Sequence, residues 1–313
     1  MKKIVIGTRG SMLALWQANW VKSEIEKRNP GVEAVLEKIK TTGDKILDVP
    51  LAKVGGKGLF VKEIEEALLS GKVDLAVNSM KDVPTIFPEG LHLRAITERE
   101  DPRDAVLSRN NARLLELPKG AKIGTSSLRR QAQLLHARPD FEMLHLRGNL
   151  DTRMRKLSEG HFDAIILAGA GVRRLGWADK ITEYLPTEVS LPAIGQGALG
   201  IETRTDDKEI NSLVAFFDHP DTSVAVRAER ALLKRLEGGC QVPIAAYGEV
   251  DGDTLKLTGL VASTDGMTLI KDSVEGKRMD AEPLGVKLAV RLLDKGAWDI
   301  LKDLYDVNPP GGA

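Results

Sequence analysis

The only cysteine of the chain, Cys240, lies in a loop whose neighbours give the backbone unusual freedom. Gly238 and Gly239 precede it and Pro243 follows, and two adjacent glycines permit conformations closed to other residues. A tight loop of this kind can present the thiol for chemistry. The alternative is a small buried side chain, because most lone cysteines in protein interiors are inert. A single cysteine excludes an intrachain disulfide and is typical of a reducing compartment.

Asp82 is a candidate catalytic carboxylate because it lies just beyond a predicted strand, residues 73–77, and beside Lys81. A carboxylate in a cleft can exchange a proton or stabilise a developing cation. The alternative is a turn aspartate ahead of Val83 and Pro84. The five histidines are scattered, without the spacing of an acyl-transfer site or a metal site.

Basic residues are concentrated in residues 121–156, which hold eight basic and three acidic side chains and carry a local net charge of +5. Arg129 and Arg130 occupy the predicted first turn of a helix, where the helix dipole disfavours cations. Arg147 and Arg9 each follow a predicted strand, at the sheet edge where open α/β folds bind ligands. Guanidinium groups offer planar forks to carboxylates and phosphates, so the set predicts a ligand with several negative charges. For any single arginine, a solvated helix face is the alternative.

Two glycine-rich segments resemble nucleotide-binding motifs without their context. Residues 195–200 match G-x-G-x-x-G, but Pro192 interrupts the segment before them and residues 198–202 are typical of a strand. A dinucleotide fingerprint follows a strand and opens a helix. The loop at residues 55–58 lacks the spacing and the Lys-Ser/Thr pair of a phosphate-binding loop. A nucleotide-dependent oxidoreductase is therefore disfavoured.

The elements that must position these residues alternate between strands and helices, which predicts doubly wound α/β domains with parallel strands. Residues 6–8 resemble residues 123–125, and residues 71–74 resemble residues 160–163, which suggests a duplicated unit and a cleft between two α/β domains. A third, α+β domain is predicted from three strand-like runs separated by Asp-Gly turns, followed by two helices: 246–250, 254–262, 267–274, about 281–294 and 297–305.

Composition narrows the function classes. The 313 residues predict two or three domains, and 45 basic against 45 acidic residues argue against a nucleic-acid or membrane-surface role. Aromatic residues make up 4%, which disfavours a base-stacking surface. The apolar run after Lys3 is too short for a signal peptide, and no stretch is long enough to span a membrane. A cytoplasmic protein is expected.

Nine segments, in order, resemble those of one family: GTR at 7–9, LALWQ at 13–17, KVGGKGLF at 53–60, SMKDVP at 79–84, EREDPRD at 98–104, GTSSLRR at 124–130, LRGN at 146–149, PAIGQGA at 192–198 and EGGCQVP at 237–243. The family is porphobilinogen deaminase, also called hydroxymethylbilane synthase. The resemblance implies a cytoplasmic, monomeric enzyme of tetrapyrrole (haem) biosynthesis. Such an enzyme joins four porphobilinogen molecules head to tail, releases ammonia and frees hydroxymethylbilane by hydrolysis.

The resemblance also implies a cofactor and site residues. The family builds its product on dipyrromethane, which is held by a thioether to the loop cysteine, here Cys240. Asp82 matches the catalytic aspartate, and we hypothesise that it hydrogen-bonds pyrrole N–H groups and stabilises the cation left when ammonia departs. Positions that match binders of cofactor or substrate carboxylates are Arg9, Ser11, Lys53, Lys57, Lys81, Thr125, Ser127, Arg129, Arg130, Arg147, Arg153 and Arg174. No metal is implied.

The implied fold has three domains: residues 1–97 with 198–215, residues 103–191, and residues 220–313. The first two would resemble type II periplasmic binding proteins. One position departs from the family pattern, because Asn78 stands where histidine is more common, and asparagine cannot titrate near neutral pH. The main rival function is a non-enzymatic binding module whose two α/β lobes close on a polyanion.

Overall fold

The computed structural model describes residues 2–45, 61–236, 242–302 and 304. Its strands, numbered along the chain, are β1 Lys2–Thr8, β2 Val32–Lys38, β3 Leu75–Ser79, β4 Leu91–Ile96, β5 Asp104–Ser108, β6 Lys122–Gly124, β7 Glu142–Leu144, β8 Ala164–Ala168, β9 Glu183–Tyr184, β10 Leu199–Arg204, β11 Ile244–Asp251, β12 Thr254–Ala262 and β13 Leu269–Lys277. Its α-helices are α1 Met12–Arg28, α2 Thr42–Lys45, α3 Lys62–Leu69, α4 Leu128–Ala137, α5 Leu150–Ser158, α6 Gly169–Arg174, α7 Lys208–Leu213, α8 Pro220–Arg235, α9 Ala281–Leu292 and α10 Trp298–Lys302.

Two five-stranded sheets share one plan. The first has the order β2-β1-β3-β10-β4 and the second the order β7-β6-β8-β5-β9. In each sheet three strands are parallel, and a fourth strand runs antiparallel between the third and the edge. In both cases that antiparallel strand is reached by a crossing between the sheets, since β5 follows β4 and β10 follows β9. The predicted pair of doubly wound α/β units is confirmed.

Local chemistry explains why the helices start where they do. Ser11 caps α1 by accepting a hydrogen bond from the Ala14 N–H, and Asn149 caps α5 in the same way. Pro220 occupies the first turn of α8, where its missing N–H costs nothing. Across the described ranges, none of the helices has the length and apolar character needed to cross a bilayer.

The last sheet is antiparallel in the order β11-β12-β13, with turns at residues 252–253 and 263–268 between its strands. Helices α8 and α9 cover one face, and Leu232, Leu257 and Leu288 are fully buried in the core between them. The predicted three-stranded sheet with flanking helices is confirmed. The second predicted helix begins at Trp298, after a wide turn in which Gly296 has a φ of +94°.

Two segments, residues 97–103 and 192–198, carry the chain between the α/β sheets and lie side by side. The Glu100 N–H donates to the Gly197 carbonyl at 3.2 Å. Gly197 has a φ of +99°, and a Cβ there would lie 2.3 Å from the Glu100 carbonyl oxygen, so only glycine fits. This turn leads into a strand, β10, and does not open a helix, as the disfavoured dinucleotide motif would require.

A buried carboxylate from α8 joins both crossing segments to the last sheet. Glu229 is fully buried and makes a bidentate ion pair with Arg99, with both N–O distances 2.8 Å. It also accepts hydrogen bonds from the Gly195 N–H at 2.7 Å and the Gly248 N–H at 2.9 Å. Both crossing segments and the last sheet therefore meet at one hydrogen-bonded centre.

Candidate active site

A cavity that is open to solvent lies at the carboxyl ends of β1 and β3. This is the edge at which open α/β sheets bind ligands. Its lining combines the start of α1 with the end of β3: Arg9, Ser11, Leu13, Ala14, Gln17, Val77, Asn78, Ser79 and Asp82. Three residues predicted from the sequence, Arg9, Ser11 and Asp82, thus share one cavity.

The segment that carries Asp82 is held from several sides. After β3 the chain makes a single 3₁₀ turn, Met80–Asp82, in which Met80 is buried and its N–H donates to the Ala198 carbonyl at 3.0 Å. The Gln17 amide donates to the Ser79 hydroxyl at 2.9 Å. Arg230 of α8 donates to the carbonyls of the two residues after Asp82, Val83 at 3.1 Å and Pro84 at 2.6 Å. Asp82 is therefore presented on a fixed backbone.

Lys81, next to Asp82, is half-buried. Burial lowers the pKa of Lys81 to about 8, although the neighbouring Asp82 carboxylate opposes this change. The positive charges of Arg130 and Arg129 lower the pKa further, and Asp104 opposes them. Lys81, just after the first sheet, is therefore within electrostatic range of Arg129 and Arg130 on α4.

Arg129 and Arg130 converge on one acid, Asp104, at the start of β5. Asp104 is fully buried and accepts from Arg129 Nη1 at 2.8 Å and from Arg130 Nε at 2.9 Å. Ser190 and Gln196 donate to it as well, at 2.7 and 2.9 Å. Burial alone would raise the pKa of Asp104, but the two guanidinium charges hold it well below its usual range. Asp104 is therefore a permanent anion.

The remaining donors of these two arginines bind backbone carbonyls and one amide. Arg129 Nη1 donates to the Leu191 carbonyl at 2.6 Å, and Arg130 Nη1 donates to the Ile166 carbonyl at 3.1 Å. Arg130 Nη2 lies 3.4 Å from the Gln196 side-chain oxygen. Both side chains are 5% exposed, so their first role is to tie α4 to β5, β8 and the second crossing segment.

Arg153 and Arg174 are bound differently. Arg153 Nε donates to the Gly148 carbonyl at 2.8 Å, and Arg174 Nη2 donates to the Gly197 carbonyl at 2.6 Å. Within residues 2–45, 61–236 and 242–302, no carboxylate lies within ion-pair distance of either guanidinium. Burial lowers the pKa of each to about 10, and for Arg153 the charges of Arg130 and Arg147 add to the effect while Asp82 opposes it.

Several predicted residues serve the local backbone. Ser127 caps α4, with its hydroxyl 3.4 Å from the Arg130 N–H, and the Thr125 hydroxyl accepts from the Ser127 N–H at 3.2 Å. Arg147 is half-buried at the start of the loop that leads to α5, and its charge acts on Arg153. Three predicted residues, Lys53, Lys57 and Cys240, lie outside the described residues.

Sequence reasoning did not identify Asp104, Gln196 or Gln17 as site residues. One signal for Asp104 was present, because two adjacent arginines in a first helical turn need an anion to offset the helix dipole. Gln17 and Gln196 carried no comparable signal, since an amide in a helix or a loop is ordinarily solvated.

The described cations suit a ligand with several carboxylates. Lys81, Arg153 and Arg174 all have pKa values lowered by burial, and an anion placed among them would offset that cost. Arg153 responds to the charge of Asp82, so cations and carboxylate act within one site. The site can bind carboxylates at its basic side and stabilise a positive charge beside Asp82.

Comparison with solved structures finds distant likenesses. A domain of Bordetella pertussis BvgS aligns with 68% of this chain and 84% of that chain, at 15% identity and a TM-score of 0.40. A substrate-binding protein of an amino acid ABC transporter aligns with 69% of this chain and 91% of that chain, at 16% identity and a TM-score of 0.38. The fold assignment rests on the strand order of the sheets.

Comparison with protein families and curated relatives is specific. Residues 4–212 match the model described as porphobilinogen deaminase, dipyromethane cofactor binding domain, and residues 223–294 match the C-terminal domain of the same enzyme. A porphobilinogen deaminase of Geotalea uraniireducens is 66% identical over 305 residues, covering 97% of this chain and 96% of that protein. One of Geobacter sulfurreducens is 65% identical with the same coverage. The chain belongs to the porphobilinogen deaminase family.

Proposed function

We propose that Asp82 is the residue with which this deaminase joins four porphobilinogen molecules head to tail, with loss of ammonia, before hydroxymethylbilane is released by hydrolysis. The observation that carries the proposal is the cavity that Asp82 lines. The Asp82 carboxylate lies within electrostatic range of Lys81 and Arg153. Each substrate molecule carries an acetate and a propionate, so a growing chain accumulates negative charge. A cleft rich in cations and holding one carboxylate suits that chemistry.

The basic residues bind carboxylates in this proposal. Guanidinium groups of Arg153 and Arg174 have no carboxylate partner among the described side chains, and their planar donors match acetate and propionate. Lys81 adds a point charge beside Asp82, and Arg9 and Arg147 stand at the ends of β1 and β7. The other proposed binders are Ser11, Lys53, Lys57, Thr125, Ser127, Arg129 and Arg130. Because Arg129 and Arg130 are engaged by Asp104, their share is mainly the positive field that they project.

Asp82 acts on the charge that develops when ammonia leaves. Departure of ammonia makes the substrate pyrrole ring cationic, and a fixed carboxylate stabilises such a cation more than it stabilises the neutral ring. The same oxygens can accept hydrogen bonds from pyrrole N–H groups. Met80 and Arg230 fix the backbone on either side, so little reorganisation is needed as the charge appears.

Dipyrromethane, when bound, supplies the pyrrole carbon to which the first substrate unit is added. The basic residues fit such a group because it carries several carboxylates and the site holds cations destabilised by burial. We place its attachment at Cys240, the only thiol in the chain. The thioether makes this residue a permanent anchor, in contrast to a nucleophile regenerated in each cycle.

We further propose a division of the chain into domains and a cellular compartment for the enzyme. We assign residues 1–97 with 198–215, residues 103–191 and residues 220–313 to three domains, and the position of each sheet within one of these ranges supports the division. We also propose that the enzyme works as a cytoplasmic monomer on a small-molecule substrate, without nucleic acid or membrane. A balanced charge of 45 basic and 45 acidic residues supports this setting.

Asp82→Asn tests the catalytic assignment, because it keeps the shape and removes the charge. We expect kcat to fall by about 10²–10³-fold, as for the loss of one electrostatic catalyst. Glu89→Gln, on the same connection and exposed, is the matched control and should turn over porphobilinogen at the parent rate. Parent-like turnover by Asp82→Asn would rule the assignment out.

The mass of the intact protein tests the anchor separately. The parent should carry the mass of one dipyrromethane, and Cys240→Ser should lack it. An unmodified parent that still binds porphobilinogen reversibly would favour the binding-module alternative.

A further inference from the structure

Glu202, on β10, is a fully buried acid with few partners. Its side chain is 0% exposed, and Oε1 accepts one hydrogen bond, from the Asn78 amide at 2.8 Å. Its other oxygen, Oε2, is buried and has no hydrogen-bond partner among the described residues. Within that same part of the chain, no cation lies at ion-pair distance from it. Asp104, by contrast, has two bound arginines.

The charges around Glu202 differ from element to element. Glu65 faces it from α3 and is itself nearly buried, and Arg230 faces it from α8. Arg204, on the same strand, is bound to Asp74 and Asp207. The paired residues on the neighbouring strands, Ala76 on β3 and Leu93 on β4, are apolar.

The balance of these groups favours the protonated acid. Burial, followed by the charge of Glu65, raises the pKa of Glu202 to about 7, while the Asn78 hydrogen bond and Arg230 oppose the change. Burial also raises the pKa of Glu65. An ionised carboxylate in this position would keep one amide donor and lose its hydration, which is costly without a bound cation. The protonated acid avoids that cost.

Glu202 is connected to the segment that presents Asp82. Its partner Asn78 comes directly before Ser79, the last residue of β3. The side chains of Glu202 and Asn78 lie on the same face of neighbouring strands. The segment is bound next by Gln17 at Ser79 and finally by Arg230 at Val83 and Pro84. Glu202 therefore fixes the first of the points that hold the catalytic segment, and Arg230 fixes the last.

We propose that Glu202 is a positioning residue which, as an uncharged carboxylic acid, holds Asn78 and thereby the start of the Asp82 segment. The inference rests on the proposed role of Asp82, and it concerns this chain because Asn78 supplies a neutral donor. A cationic imidazole at position 78 would instead favour the ionised form of Glu202. Ionisation of Glu202 would leave the Asn78 hydrogen bond in place but would put a second negative charge near Glu65, inside the fold.

Infrared spectroscopy tests the protonation state directly. At pH 6 the parent should show the carbonyl stretch of a buried protonated carboxyl, which fades as the pH rises through about 7. The band should be absent from Glu202→Gln. It should also be lost at pH 6 from Asn78→His, in which the imidazolium pairs with the carboxylate. A parent spectrum without this band at pH 6, or a band that survives in Glu202→Gln, would overturn the proposal.

Kinetics tests the positioning role with a conservative rescue. Glu202→Gln keeps the shape of the neutral acid, so kcat at pH 6.5 should stay within about twofold of the parent, whereas Glu202→Ala should lose about tenfold in kcat with little change in KM. Loss of kcat in Glu202→Gln equal to that in Glu202→Ala would show that the charge is needed and would overturn the proposal. Failure of Asp82→Asn to slow turnover would refute the catalytic assignment alone, since the infrared result does not depend on it.

The pH dependence of stability adds a readout that survives poor activity. The raised pKa means that the parent loses stability as the pH rises from the ordinary carboxyl value, 4.5, to about 7. Glu202→Gln cannot ionise, so its melting temperature should gain on the parent across that interval and keep a constant difference above it. A difference that does not change with pH would contradict the proposal.

Discussion

Two groups of buried arginines in this protein have opposite surroundings. Arg129 and Arg130 share the carboxylate of Asp104, and their other donors reach carbonyls and an amide. Among the described residues, Arg153 and Arg174 donate only to backbone carbonyls, and burial lowers their pKa values to about 10. Burial without a bound anion is a cost that the fold accepts where a ligand is to supply the anion. The first group holds the structure together, and we propose that the second binds carboxylates.

The largest expected effect comes from removing the anion of the first group. Asp104→Asn would leave two buried guanidinium groups without their shared carboxylate, and the free energy of unfolding should fall by about 3–5 kcal/mol. Urea denaturation measures it. Glu282→Gln breaks the exposed pair with Arg227 and should cost only about 0–1 kcal/mol. Equal losses in the two variants would mean that the Asp104 centre has no special importance.

Substitution of an arginine should affect KM in one group and the free energy of unfolding in the other. Arg153→Gln removes a guanidinium that donates hydrogen bonds to substrate carboxylates in our proposal. KM for porphobilinogen should therefore rise by about 10–100-fold, corresponding to roughly 1.5–3 kcal/mol of binding. Its free energy of unfolding should stay level or rise, because an unpaired buried charge is removed. Arg129→Gln should instead lower the free energy of unfolding, by about 3 kcal/mol. If both variants lost stability alike, the contrast between the groups would fail.

Lys81 should make the binding of substrate carboxylates depend on pH. Because its pKa is lowered to about 8, the site loses one positive charge as the pH rises through that value, and KM should rise. Lys81→Arg should keep its positive charge, so the rise in KM should move to higher pH. For stability the sign is opposite: a buried lysine with a lowered pKa costs stability while charged, so the parent should gain on Lys81→Met between pH 8 and 10.5. Measurements of KM and of unfolding across this interval check both signs.

The smallest expected effect concerns the cap of the helix that bears the first group. Ser127→Ala removes the hydroxyl that receives the Arg130 N–H, and stability should fall by about 1 kcal/mol. Thr125→Val is a useful comparison, because it removes the hydroxyl that accepts from the Ser127 N–H. A large rise in KM for Ser127→Ala, with stability unchanged, would show that the proposed ligand contact of Ser127 outweighs its role as a cap.

The sequence predicted the elements well where periodicity and turn residues agree. The run Thr254–Ala262 was predicted as a strand and forms β12 with those bounds, because Asp-Gly turns limit it on both sides. Ser11 and Ser127 cap α1 and α4, and a serine before a helical run is an ordinary sign of a helix start, although Ser126 fits that sign as well as Ser127. Strand β5, from Asp104 to Ser108, was missed because its first residue lies in a motif that marked a domain boundary.

The site was only partly predictable, and the reason is distance along the chain. Asp104 meets Arg129 and Gln196 across 25 and 92 positions, and Glu202 meets Asn78 across 124. No local pattern encodes such meetings, which arise only when the sheets close. Single residues at strand ends, such as Arg9 and Asp82, were accessible because the strand order of an α/β sheet brings them to one edge. The roles of all the predicted site residues stay predictions, and Cys240, Lys53 and Lys57 also lie outside the described residues.

The two crossings between the α/β sheets also set an order of assembly during synthesis. Every strand of the second sheet is contained in residues 104–184, so that sheet is complete once this stretch has left the ribosome. The first sheet cannot close until β10, Leu199–Arg204, fills the gap between β3 and β4. A nascent chain released before that point would expose two unpaired strand edges, and such edges recruit other chains. Translation of the second sheet is therefore the interval in which the first four strands depend on protection from aggregation.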